Sequence, residues 1–143
     1  MVALALLVGF LGGVAIAFQS PLASLMSQRM GIIESAFVVH LGGALLAGVP
    51  LLLLAGGRLG EWRHVPPAAL GSGALGIALI ASVSYAIPRI GIAATMAVII
   101  SAQLLIAAVL DHYGWLGAEV RPFGALRAAG IAVLFLGTWL LTR

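Results

Sequence analysis

The chain has no cysteine, which removes disulfides, thiolate metal ligands and cysteine nucleophiles together. It has no lysine either: its 7 basic residues are all Arg, they face only 4 acidic ones, and charged residues make up 8% of the 143. So little charge beside 63% hydrophobic residues excludes a water-soluble globular domain. A net charge of +3 with no basic run argues against nucleic acid as a partner. The seven Arg, most of them in short gaps between apolar runs, are placed to meet lipid phosphates. A Walker loop, a metal-ligand cluster and a Ser-His-Asp set are also missing, and loops of at most about a dozen residues leave an enzyme nothing to stand on. No enzyme activity, cofactor or metal is expected.

What is present is five apolar runs, at about Val2–Ser27, Ile33–Ala55, Ala68–Ile87, Gly91–Leu110 and Phe123–Leu141. Each reaches or approaches the roughly 20 residues that cross about 30 Å of hydrocarbon at 1.5 Å per residue. The runs are continuously apolar rather than alternating, and a segment in lipid must satisfy its own backbone, so helices are expected and strands are not. The first run follows Met1 directly, lacks a basic leader and exceeds signal-peptide length, so it is expected to stay as a membrane helix. The reading is an all-α integral membrane bundle of five transmembrane helices in a single domain over 1–143.

Five crossings place Arg58, Arg63 and Arg121 on one side of the membrane, with Arg127 just inside the last helix, and Arg29, Arg89 and Arg143 on the other. Membrane proteins normally carry a clear Lys/Arg excess toward the cytoplasm. This near-even tally predicts weak orientation, with dual topology as one outcome and a fixed orientation of mild bias as the other. Five helices barely enclose a two-sided path, whereas ten in inverted halves form a common transporter plan. The expected partner is a second copy in an antiparallel homodimer, or an oppositely oriented homologue in a heterodimer.

The segment QSPLASLMSQRMG (Gln19–Gly31) is followed by a small-residue helix. Further on come PRIGIAATMAVIISAQLLIAAVLDHYGWLG (Pro88–Gly117) and RPFGALRAAGIAVLFLGTWLL (Arg121–Leu141). With Gly91, Gln103, Asp111, His112, Gly114, Pro122, Arg127, Gly130 and Gly137 in order, this resembles the five-span branch of the drug/metabolite transporter superfamily. That branch is distantly related to small multidrug resistance and EamA-type transporters. The resemblance implies antiparallel pairing, transport of a small solute, and a bacterial inner-membrane location, and it points to Gln103. Ala23 and Ala102 stand where that branch usually has Asn and Gly, so no substrate is carried over.

Polar side chains within apolar runs must find partners, since lipid offers none. Gln19 shares a helix face with Gly12, Ala15 and Ala23, and Pro21 removes an N–H beside it. His40 is the ionisable group well inside a span, on a small-residue stripe with Ala36, Gly43, Ala44 and Ala47. With Tyr85 and Gln103, these form the expected midplane transport site; the competing reading of each is an interhelical hydrogen bond. Glu34 opens the second helix, where it complements the helix dipole, while Asp111 closes the fourth and needs a partner such as His112 or Arg127. These charges are read as vestibule groups or loop-fixing pairs. No carboxylate lies inside a span, which argues against direct proton exchange for a dication. Gly9, Gly13, Gly43, Gly48, Gly130 and Gly137 are read as helix-packing positions. The function expected is solute transport between inverted subunits, with a passive pore and a non-transporting structural subunit as alternatives.

Overall fold

The structure is a computed structural model that describes residues 1–54 and 56–143. Among the described residues all regular structure is helical. Four helices are long and apolar enough to cross a membrane, and a fifth apolar helix is shorter. The chain divides into two compact units, Met1–Pro88 and Arg89–Arg143.

The first unit opens with α1 (Val2–Met30) and α2 (Ile32–Leu53), joined by the single residue Gly31. At 29 residues α1 is about 44 Å long, well beyond the hydrocarbon thickness, so it extends three residues past the expected Ser27 into the interface. Gly31 sits at φ 106°, which glycine alone adopts freely, and a Cβ there would strike the Glu34 carboxylate. Glu34 is in the first turn of α2, where its charge complements the dipole. The two helices are fixed across the link by Ser35, whose buried Oγ donates to the Ala23 carbonyl at 2.9 Å. Small Ala23 and Ala36 let the backbones approach, and Ile80 and Val39 complete this core. α2 stops at Leu53; the expected end at Ala55 lies outside the described residues.

The expected helix over Ala68–Ile87 is instead two. A short α3 (Pro67–Leu70) starts with proline at its first position and stops at Gly71, whose N–H bonds Pro67. Then α4 runs from Gly73 to Ile90. The Gly71-Ser72-Gly73 sequence has low helix propensity and breaks the apolar run.

The second unit contains α5 (Ile92–Tyr113) and α6 (Ala125–Leu141). α5 ends in Gly114 at φ 64°, a left-handed cap whose missing Cβ leaves room for Val120. α6 begins two residues later than the expected Phe123. At 17 residues it is about 25 Å long. α5 and α6 lie antiparallel: Asp111 pairs with Arg127 at one end, and Ser101 and Thr138 hydroxyls meet at 2.6 Å toward the other. Thr138 Oγ1 also donates to the Ala97 carbonyl at 3.3 Å.

One regularity escapes the sequence reading. Residues 20, 23, 24 and 35 are buried, and so are 80, 83, 84 and 95, sixty positions on. Both stretches carry Arg two residues before a positive-φ glycine, Arg29 before Gly31 and Arg89 before Gly91. A small hydroxyl follows at the same distance, Ser35 in one and Thr95 in the other.

Candidate functional site

In the first unit α1, α2 and α4 enclose a half-open cavity of about 280 Å³. Gln19, Ser20 and Ala23 come from α1, Val39, His40 and Gly43 from α2, and Gly76, Leu79, Ile80 and Val83 from α4. The i, i+3, i+4 spacing of each set is what one helix face presents to a common centre. Its polar groups are the Gln19 amide, the Ser20 hydroxyl and the His40 ring, and no charged carboxylate or guanidinium lines it.

The His40 ring is hydrogen-bonded at Nδ1 and packed at Nε2. Nδ1 lies 2.7 Å from the Ala36 carbonyl, which can only accept, so Nδ1 carries the proton. Nε2 lies against Gly76, where an added Cβ would collide with it. The ring also borders a second cavity of about 310 Å³ lined by Ile33, Ala36, Phe37, Gly73, Ala74 and Ile77. His40 therefore stands as a partition between two spaces.

All four expected transport residues are exposed, and the structure brings Gln19 and His40 to one half-open cavity. Tyr85 is exposed and is not among the residues lining it. Gln103 belongs to the second unit and is exposed. Nearby hydroxyls are what pack: Ser84, next to Tyr85, is buried with no partner for its Oγ among the described residues, and Ser101, two residues before Gln103, is buried against Thr138.

The second unit has its own groove, about 390 Å³, between α5 and α6, lined by Leu104, Ala107, Ala108, Gly130, Ile131 and Leu134 with Asp111 and Arg127 at its end. Arg127 Nη1 stands 3.4 Å from Asp111 and donates to the Arg121 carbonyl at 3.1 Å. Arg121 N–H donates to the Asp111 carbonyl at 2.8 Å, and Phe123 N–H to His112 Nδ1 at 3.1 Å. These bonds tie the α5–α6 connection down. Beyond them, the Glu119 hydrogen bond and charge hold the exposed Arg121 guanidinium above its ordinary value.

A Cβ added at any of the expected helix-packing positions Gly9, Gly13, Gly43, Gly48, Gly130 and Gly137 meets nothing within 4 Å in the single chain. The close approach is at Gly76 instead. Every residue from Met1 to Gln19 is exposed.

Sequence reasoning missed Ser20, Ile80 and Val83 as cavity residues, and missed Gly76 as the seat of an imidazole. The sixty-residue recurrence is the signal that marks position 80 as the counterpart of 20, and 83 and 84 as those of 23 and 24. Nothing in the sequence marks Gly76 beyond its place four residues after Ser72.

Trp115 stacks on Tyr113 at 5.1 Å, and Arg143 and Arg63 lie over Trp139 and Trp62 at 4.3 and 5.7 Å. Aromatic groups paired with cations at helix ends are what the headgroup region selects. Apolar side chains cover the exterior of the long helices, as lipid contact requires. No curated protein and no solved structure matches the chain. A family model matches residues 4–140, from the first turn of α1 to the last of α6, and the chain belongs to that family, described as "Putative inner membrane exporter, YdcZ", as an integral protein of the inner membrane.

Proposed function

We propose that the chain is a half-size exporter of the drug/metabolite type, in the five-span branch related to small multidrug resistance and EamA-type transporters. α6 serves as the fifth crossing despite its 17 residues, with local bilayer thinning and the flanking Arg127 and Arg143 absorbing the mismatch. Two copies in opposite orientation form the working unit, and an oppositely oriented homologue serves equally in place of the second copy. The pair moves a small solute by alternating access through a midplane site between the inverted subunits, with no enzymatic step and no cofactor.

The observation that carries this reading is the cavity at which Gln19 and His40 converge from α1 and α2, between long helices with apolar exteriors. Polar groups in hydrocarbon are retained where they face a partner or a path. The near-even distribution of Arg between the two sides supports dual insertion, and the open glycines of α1 supply a surface that a partner's helix can approach.

The test uses the purified protein in liposomes, with heat stability read across a panel of small neutral solutes. A stabilising solute should also show slow, saturable uptake, and Gln19→Ala and His40→Ala should abolish both effects while the oligomer remains. Single-channel currents would identify a pore instead, and no stabilising solute at all would leave a structural subunit. Because the chain has no native cysteine, a single Cys at each terminus reports orientation cleanly. Labelling of each from both faces supports opposed copies of one chain; labelling from one face excludes a homodimer of that kind.

A further inference from the structure

The geometry points to a substrate class for the α1–α2–α4 cavity: a small, uncharged solute with an apolar body and one hydrogen-bond donor, received by Nε2 of His40. This rests on the transport reading above and narrows it.

Three observations converge. The first is the fixed tautomer. A carbonyl cannot donate, so the 2.7 Å contact to Ala36 places a proton on Nδ1, and that tautomer of imidazole carries its lone pair at Nε2. The second is where Nε2 sits. His40 lines the cavity, and its Nε2 lies against Gly76, where a Cβ would collide with it. Any side chain at position 76 would occupy the space. The third is what the cavity withholds. It contains no carboxylate to neutralise a cation, no guanidinium to neutralise an anion, and no aromatic face for a quaternary ammonium. Apart from Gln19, Ser20 and His40 the lining is aliphatic or glycine. At about 280 Å³ it lies just below the range of roughly 300–1,000 Å³ that holds drug-sized ligands, so the solute is small. An uncharged donor satisfies Nε2, and its apolar remainder fills the aliphatic walls. Gly76 acts as a positioning residue: it sets the ring, and the ring selects the donor.

The experiment compares phenol with anisole, which share an apolar ring and differ in the single O–H donor, and adds tetraphenylphosphonium as the cation. The full chain is labelled with ¹⁵N-histidine and placed in nanodiscs. The chain has 3 histidines, and the Nε2 resonance of His40 is assigned by its loss in His40→Asn. Phenol should move that resonance and bind about tenfold more tightly than anisole, the worth of one hydrogen bond. Tetraphenylphosphonium should leave it unmoved. Gly76→Ala should shift the resonance without ligand and collapse the preference for phenol, whereas Gly73→Ala, whose Cβ meets nothing within 4 Å, should preserve both.

Equal binding of phenol and anisole overturns the donor requirement. A cation that binds where phenol does not overturns the charge assignment, yet leaves the cavity standing as a transport site. Phenol recognition without any phenol transport supports this inference and removes the exporter reading. Silence from all three probes overturns the inference.

Discussion

Gly31 is constrained chiefly by its backbone, with a side-chain contact added. Its φ of 106° disfavours any L side chain, and the Glu34 carboxylate fills the position a Cβ would take. Gly31→Ala should therefore lower stability by about 1–3 kcal/mol, read as an earlier unfolding midpoint in detergent. Gly9→Ala is the matched control: it lies in helix with open space beside it, so its effect on the isolated chain should be neutral to slightly stabilising. At the Ser101–Thr138 contact the two hydroxyls stand 2.6 Å apart and Ser101 is fully buried. Removing both in Ser101→Ala with Thr138→Val should reveal a coupling of about 0.6–1.7 kcal/mol in a double-mutant cycle, in the range of interhelical bonds in lipid. A coupling near zero would mean that each hydroxyl finds another acceptor, such as the Ala97 carbonyl already at 3.3 Å from Thr138.

Among elements, the α5–α6 connection is held by a small network rather than by the ion pair alone. Arg127 and Asp111 are each more than a third exposed and 3.4 Å apart, so their charge attraction is screened and contributes at most about 1 kcal/mol. Arg127 also reaches the Arg121 carbonyl, and Arg121 N–H in turn reaches the Asp111 backbone. Asp111→Asn should consequently be mild, since it keeps the backbone bond and a polar side chain, whereas Arg127→Ala removes two bonds at once. The expected reading is faster amide exchange across residues 118–124 in Arg127→Ala and little change in Asp111→Asn. Equal effects would place the weight on the charges. The α1–α2 pair is built differently: a one-residue link, a hydroxyl-to-carbonyl bond from Ser35 and alanines at the crossing hold it without any ion pair.

For the molecule as a whole, the open glycines and the exposed first 19 residues describe a surface left without an intrachain neighbour. If a second copy covers it, Gly9→Leu should weaken the oligomer in cross-linking while the chain's own unfolding midpoint holds. An unchanged oligomer would move the interface elsewhere. This separates association from folding, which a substitution in the Ala23–Ala36–Ile80 core cannot do.

The sequence by itself determined helicity, lipid exposure and the approximate length of each span, because hydrocarbon thickness and backbone satisfaction act on the number of consecutive apolar residues and nothing finer. It also singled out Gln19 and His40, since a polar side chain in such a run stands out wherever it points. Only the tertiary structure decided which faces meet. α1 and α2 are apolar nearly all round, so no amphipathic stripe distinguishes an inward side from a lipid-facing one. Glycine spacing does not supply that information either, as the six open positions show against the one at Gly76 that is filled. Whether an absent Cβ admits a helix, an imidazole or lipid depends on where a second element arrives, and that is fixed by the Gly31 link and the crossing of α4, not by the residue type.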